Sequence, residues 1–452
     1  MAKSHSQFVC QQCGASYTKW TGRCNKCGAW NSLVEELEAE DTQGKSAVAR
    51  GQISGKSLQC IDIQSLKVSD QKERIPTGFR DLDTVLGGGI LMGAVMLLAG
   101  QPGIGKSTLL MQICAEVANQ GQDVLYVSGE ESAGQVKMRA VRLGANSDHL
   151  KFASSNSTND ISKTIAEGKF NLVIVDSIQT LTLAEISSAP GGISQVTNCG
   201  NVIIRAAKSS NTAVIIVGHV TKDGTLAGPK VLEHLVDVVL NFEGDRYGGF
   251  KIVRAVKNRF GSTSEAAIFE MNQSGLTEVQ NPSAALLAER QNTDGSIILA
   301  TLEGTRPILV EIQALATSTN FGYPRRTSSG FDINRLTLLT AVLERRTKLK
   351  LSDKDIYINV VGGLKIQDAA ADLAICLALA SAVAGRKLAE DYVVFGEVGL
   401  GGEIRSAFRP DQRITEAKKL GFSHAIAPAT IKDPFVIPVK DLRSTLIDYV
   451  NK

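Results

Sequence analysis

Residues 100–108 read GQPGIGKST, which fits the spacing G-x-x-x-x-G-K-[ST] with Gly100, Gly105, Lys106 and Ser107 in the defining places. Glycines let consecutive backbone N–H groups turn toward an anion, and a helix starting behind them adds its positive end. The flanks agree with this. AVMLLA (94–99) predicts a buried strand before the loop, and LLMQICAEVA (109–118) has the apolar spacing of a helix packed on a sheet. The expected phosphate cradle is therefore Gly100, Gln101, Pro102, Gly103, Ile104, Gly105, Lys106, Ser107 and Thr108. Within it Lys106 is expected to reach the terminal phosphates and Ser107 can hold Mg²⁺.

Further apolar runs end in polar groups that suit such a site. DVLYVS (123–128) predicts a strand running into Gly129, Glu130, Glu131 and Ser132, and either glutamate could orient an attacking water. NLVIVD (171–176) ends in Asp176, expected to hold Mg²⁺ directly or through water. TAVIIVG (212–218) leads to His219, a candidate sensor of the γ-phosphate. The helix expected over 133–143 carries Lys137, Arg139 and Arg142 on what reads as a solvated face. Segments 184–195 and 221–230 are polar and Gly-rich, read as unpacked polymer-contacting loops in which Lys222 and Lys230 could meet phosphates. Residues 250–260 predict a strand ending in Lys257-Asn258-Arg259-Phe260-Gly261, whose cations suit a neighbouring subunit's nucleotide.

A chain of 452 residues exceeds one ordinary core, and 43% hydrophobic with 21% charged residues describes a globular protein. The first ten residues lack the apolar core of a secretory signal and no apolar run is long enough for a membrane span, so a cytoplasmic setting is expected. A net charge of +3 neither requires nor excludes nucleic acid. Cysteine placement says more. Cys10 and Cys13, then Cys24 and Cys27, form two Cys-x-x-Cys pairs separated by ten residues, the pattern of a structural Zn²⁺ site with no open position. Trp20 and Trp30 are expected to cover its small core. Cys60, Cys114, Cys199 and Cys376 stand alone and read as small buried hydrophobes. Residues 35–73 turn polar and charged and read as a flexible linker.

The order of these motifs, a four-cysteine unit, GQPGIGKST, YVSGEES, LVIVDS, VGHVTK and KNRFG, resembles the bacterial RadA (Sms) family of DNA repair proteins. The resemblance implies an α/β protein with a RecA-like P-loop ATPase core. It implies an ATP-driven motor of the RecA and DnaB helicase kind, a homohexamer acting on single-stranded and branched DNA and promoting branch migration with RecA. Carried over by position, Lys106 and Ser107 bind nucleotide and Mg²⁺, Lys257 and Arg259 act across the subunit interface, and the zinc unit contacts protein, with RecA the implied partner.

From Pro282 onward the pattern changes to alternating strands, with Ala-rich helical runs at 336–343 and 369–384. This part resembles the proteolytic domain of Lon protease. Laid along the Lon serine and lysine segments, the chain has Ala370 at the nucleophile and Asp411 at the base, which removes the nucleophilic atom and the amine. No peptidase activity is expected. Arg325 and Arg326, with Arg345, Arg346, Lys348 and Lys350, form a candidate cationic DNA surface. The expected organisation is a zinc ribbon-like unit at 1–34, the linker at 35–73, the RecA-like ATPase domain at 74–281 and a non-proteolytic Lon-like α/β domain at 282–452. A nucleotide-switched adaptor without motor activity is the alternative reading of the same chain.

Overall fold

The computed structural model describes residues 6–10, 15–30, 32–37, 62, 74–219, 231–244, 250–319 and 323–450. Cys13, Cys60, most of the expected linker, Lys222 and Lys230 lie outside the described residues. By contacts the chain divides into two compact units, residues 1–241 with 255–261, and residues 242–254 with 262–452.

The first unit begins with a three-stranded antiparallel sheet of β1 (Ser6–Cys10), β2 (Ser16–Tyr17) and β3 (Leu33–Leu37), ordered β2-β1-β3. Strand β3 continues to Leu37, so the expected linker's first residues pair with β1, Glu35 opposite Phe8. Cys10, Cys24 and Leu33 form the buried core, with Phe8, Ala15 and Tyr17 packed on it. Those side chains fill the space that the tryptophans were expected to cover. Trp20 and Trp30 are instead 55% and 72% exposed, and the Arg23 guanidinium lies over the Trp30 ring.

The larger part of the unit alternates helices and strands: α1 (Arg80–Leu86), β4 (Val95–Gly100), α2 (Lys106–Asn119), β5 (Val124–Ser128), α3 (Ala133–Arg142) and β6 (Leu150–Ser154). It continues through α4 (Thr158–Glu167), β7 (Leu172–Asp176), α5 (Ile193–Ser210), β8 (Ala213–His219), α6 (Val231–Leu235) and β9 (Val238–Gly244). The strand order is β9-β4-β8-β7-β5-β6, with the pairs from β4 to β6 parallel. Such strands are buried on both faces, which is why β4, β5 and β7 read as near-continuous apolar runs. Register then fixes the site: Gly100 pairs with His219 and Ser128 with Asp176, so all the carboxyl ends reach one edge.

One expected loop keeps Ala184, Glu185, Ser187, Ala189 and Pro190 exposed but is anchored from within. Leu183 and Ile186 are buried, and Gln195 of α5 accepts from Leu183 N and donates to the carbonyls of Leu183, Ile186 and Ser188. A single buried amide thus satisfies a backbone that polarity alone assigned to solvent.

The second unit opens with an antiparallel run of β10 (Lys251–Asn258), β11 (Ala266–Asn272) and β12 (Gly275–Glu278), then α7 (Pro282–Leu287). The unit boundary cuts β9 and β10. Next come β13 (Ser296–Glu303), β14 (Arg306–Ser318), β15 (Arg326–Ser329), α8 (Ile333–Thr347), β16 (Lys354–Val360), α9 (Ala371–Ala384) and β17 (Tyr392–Val394). The chain ends in β18 (Glu397–Val398), β19 (Ile404–Arg405), α10 (Pro410–Lys419), β20 (His424–Pro428), β21 (Val436–Val439) and α11 (Leu442–Tyr449). A seven-stranded mixed sheet, β15-β16-β14-β13-β17-β20-β21, packs on α9, whose residues 371–381 are all buried. Among the described residues no helix is long and apolar enough to cross a membrane.

Ala370 caps α9 and is 1% exposed, while Asp411 stands exposed in the first turn of α10. Two residues on, Arg413 is fully buried and donates from Nη1 to Asp368 Oδ2 at 2.6 Å and to Ala300 O at 2.7 Å. Asp368 also accepts from Thr301 Oγ1 and Leu302 N. Removing one partner of a buried pair strands the other charge. Arg413→Leu should therefore lower the stability of the second unit by about 3 kcal/mol in chemical denaturation. An unchanged midpoint would show that the pair does not hold these segments.

Candidate nucleotide site

At the carboxyl edge of the first unit's parallel strands, the chain leaves β4 through the phosphate loop and enters α2 at Gly105, whose φ of 118° only glycine adopts without strain. Lys106 lies folded onto this loop, its Nζ donating to Gly100 O at 2.7 Å and Gln101 O at 3.0 Å. Burial lowers its pKa to about 8, against the opposing pull of the Asp176 and Glu130 carboxylates. Ser107 Oγ donates to Asp176 Oδ2 at 2.8 Å, and Tyr126 OH donates to the same oxygen at 2.7 Å. Two hard oxygen groups, the Ser107 hydroxyl and the Asp176 carboxylate, are thereby held together, a donor set that fits Mg²⁺.

The two glutamates left open by the sequence are separated here. Glu130 accepts from Ser177 Oγ at 2.6 Å and lies 3.7 Å from His219 Nε2. Glu131 turns the other way and is gripped by both terminal nitrogens of Arg139 on α3, Nη1 to Oε2 at 2.7 Å. Arg139 is thus not part of a solvated face; its side chain is 17% exposed. Glu130 is the glutamate that meets Ser177 and His219. His219 itself is partly buried, and among the described residues its Nδ1 has no hydrogen-bond partner. Ser177 and Tyr126 escaped the sequence reading, because a hydroxyl inside or beside an apolar strand looks like core until its acceptor is known.

Lys257 and Arg259 gather elsewhere. Lys257 Nζ donates to the carbonyls of Glu233, His234 and Val236 at 2.8, 3.0 and 2.8 Å, closing the end of α6. Arg259 Nη1 lies 3.3 Å from Oδ1 of buried Asp237 and keeps its side chain 56% exposed. Asp237 in turn is bonded to Val95, at the start of β4, through Val95 N to Oδ2 and Asp237 N to Val95 O. The six residues from Val95 to Gly100 span ~16 Å at the rise of a strand, so Arg259 sits at the far edge of the sheet from its own phosphate loop. The rest of the motif also binds within the protomer. Asn258 Nδ2 donates to Val85 O, Arg74 Nη2 donates to Phe260 O, and Gly87, at φ 81°, leaves no room for a Cβ beside Phe260 O.

Of the remaining cations, Arg325 is exposed. Arg326 is engaged by its own unit, donating to Lys354 O at 2.6 Å and Leu351 O at 3.0 Å.

In the N-terminal sheet the sulfurs of Cys10, Cys24 and Cys27 all lie within 4.8 Å of one another, Cys10 and Cys27 at 3.6 Å. That spacing fits the edge of a tetrahedron with roughly 2.3 Å bonds, and soft thiolates suit Zn²⁺. The Tyr17 hydroxyl at 3.3 Å from Cys24 Sγ, followed by the backbone of Cys27, lowers the Cys24 pKa to about 5, favouring the thiolate that binds metal.

Family models match three parts of the chain: "AAA domain" at residues 63–225, "Rubredoxin metal binding domain" at 8–35 and "Subunit ChlI of Mg-chelatase" at 337–431. DNA repair protein RadA of Halalkalibacterium halodurans is 48% identical over 440 residues, covering 97% of this chain and 95% of that protein. The chain belongs to the RadA family of DNA repair proteins. The RadA proteins of Bacillus subtilis and Aquifex aeolicus are 47% and 44% identical, over 97% and 96% of this chain and 95% of each relative. The crystal structure of the RadB recombinase aligns with 46% of this chain and 100% of its own, at a TM-score of 0.37 and 21% identity. By its family and the matching models, the chain is an α/β protein with a P-loop ATPase core, an N-terminal zinc-ribbon unit and a Lon-like C-terminal α/β domain, the fold class its sequence predicted.

Because the cysteine cluster has its own core, its loss should stay local. Cys24→Ser should release one equivalent of Zn²⁺ per chain by elemental analysis while leaving ATP affinity unchanged. Loss of ATP binding in that variant would make the cluster part of the nucleotide site.

Proposed function

We propose that this protein is a DNA-dependent ATPase and hexameric helicase that promotes branch migration of recombination intermediates, working with RecA in the cytoplasm. The observation that carries the ATPase part is the 2.8 Å bond from Ser107 to Asp176, which joins the phosphate loop to the second strand-end acid beside Glu130. ATP is the substrate, held by the loop amides and by Lys106, which exchanges the carbonyls of Gly100 and Gln101 for phosphate oxygens. Mg²⁺, held by Ser107 and Asp176, supplies charge neutralisation at the phosphates. Glu130 orients the attacking water, and Ser177 fixes that carboxylate from behind. His219, beside Glu130, carries the state of the γ-phosphate into the loop that follows β8.

Arg259 cannot serve its own phosphates from the far edge of the sheet, and its exposure supports a role at a neighbour's nucleotide. Lys257 joins it by giving up the α6 carbonyls, so that one subunit's nucleotide state reaches α6 of the next. Single-stranded and branched DNA is contacted by the loop bearing Lys222 and Lys230, with Arg325 a further contact. Arg326 supports the Arg325 contact within the second unit through its bonds to the Lys354 and Leu351 carbonyls. The Zn²⁺ unit, completed by Cys13, docks RecA. The ATPase domain runs from 74 to 281, and the Lon-like domain at 282–452, without a nucleophile at Ala370 or an amine at Asp411, supports ring assembly and cleaves no peptide.

The test is steady-state ATP hydrolysis with and without single-stranded DNA. Lys106→Ala should abolish turnover. Glu130→Gln should lower kcat by about a hundredfold or more, whereas Glu131→Gln, whose partner is Arg139, should stay within about tenfold of wild type. Arg259→Ala should bind ATP normally and lose the DNA stimulation. Equal slow hydrolysis in all variants, indifferent to DNA, would instead indicate the nucleotide-switched adaptor.

A further inference from the structure

Tyr126 is the one hydroxyl-bearing residue within the four apolar positions of β5 that precede Ser128, and it is 1% exposed. A buried phenol needs a partner for its O–H. In register, Tyr126 pairs with Ile174, two residues short of Asp176, and it reaches forward to donate to Asp176 Oδ2 at 2.7 Å. Ser107 donates to the same Oδ2 from the opposite side of the sequence, the start of α2. Among the described residues Oδ1 receives no hydrogen bond.

We propose that Tyr126 is a positioning residue for the divalent cation: it pins Oδ2 of Asp176 from within the sheet and leaves Oδ1 as the oxygen offered to the metal or its water. This rests on Asp176 being the metal carboxylate. With the phenol gone, Oδ2 keeps Ser107 alone, and the carboxylate and the hydroxyl can turn together away from the cation. Partners of this kind, one bond behind a ligand, set metal affinity by orienting it. Phenylalanine would fill the same space in β5, so packing and orientation can be separated by one oxygen atom.

The experiment uses the full chain as wild type, Tyr126→Phe and Asp176→Asn. Mn²⁺ is titrated in the presence of saturating AMP-PNP and free Mn²⁺ is read by electron paramagnetic resonance; AMP-PNP affinity is measured separately in EDTA. Tyr126→Phe should weaken Mn²⁺ binding by about tenfold, with the EDTA affinity unchanged, and raising Mg²⁺ should restore its kcat. Asp176→Asn should weaken Mn²⁺ binding further. Wild-type Mn²⁺ affinity in Tyr126→Phe beside a weakened Asp176→Asn would overturn the role of Tyr126 alone. Wild-type affinity in Asp176→Asn would remove the site reading beneath it. A kcat loss in Tyr126→Phe that no Mg²⁺ concentration restores would place the hydroxyl's effect outside cation binding and overturn the proposal.

Discussion

Parallel pairing in register sets Gly100 beside His219 and Ser128 beside Asp176, and the polar groups of the nucleotide site hang from that alignment. Successive side chains on a strand point to opposite faces, so a slip of one residue would turn Tyr126 away from Asp176 and Asp176 away from Ser107. The continuous apolar runs of β4, β5 and β7 allow burial on both faces but do not themselves choose the register. The choice is reinforced at the ends. Ser128 Oγ accepts from the amides of Glu130 and Glu131, Gly129 N donates to Asp176 O, and the two serines, Ser107 and Ser177, tie the acids to the loops beside them. The bonds that would present a nucleotide's partners are the same bonds that lock the sheet.

The KNRFG segment works from the other end of β4. Its lysine closes α6, its asparagine reaches Val85, its arginine pairs with Asp237, and Asp237 is bonded to Val95. Asp237 also accepts from Lys208 of α5, so one buried carboxylate gathers a strand start, a long helix and the motif's arginine. A buried charge with a single partner would be costly; this one is compensated by two cations and a backbone amide. The arrangement gives any pull on Arg259 or Lys257 a direct mechanical path to both α6 and the strand that leads into the phosphate loop.

What the sequence made legible follows from how local each signal was. The phosphate loop needs glycines and a lysine at fixed spacing, and nothing elsewhere in the chain can change that requirement, so its placement between β4 and α2 was readable. Glu130 and Glu131 were not separable, because the difference lies in Arg139, on the next helix, and in Ser177, after another strand. Residues 184–195 read as open loop for the same reason: the decisive partner was a buried glutamine whose amide matches four backbone groups only once the chain has turned back. Trp20 and Trp30 misled in the opposite sense. Size suggested a cover for a small core, but Phe8, Tyr17 and the thiols already fill it.

In the Lon-like unit a buried ion pair joins segments that are far apart in the sequence. Ala370 is buried at the start of α9, residues 371–381 behind it are buried too, and the acid among them, Asp372, is paired with Arg335. The other segment brings Arg413, whose buried guanidinium bonds to Asp368, Ala300 and Phe408 and so bridges β13, the loop before α9 and the start of α10. Desolvating that guanidinium costs several kcal/mol, and only a carboxylate and carbonyls fixed in place can offset it. Here the loop before α9 and the start of α10 are bound to each other through Asp368 and Arg413.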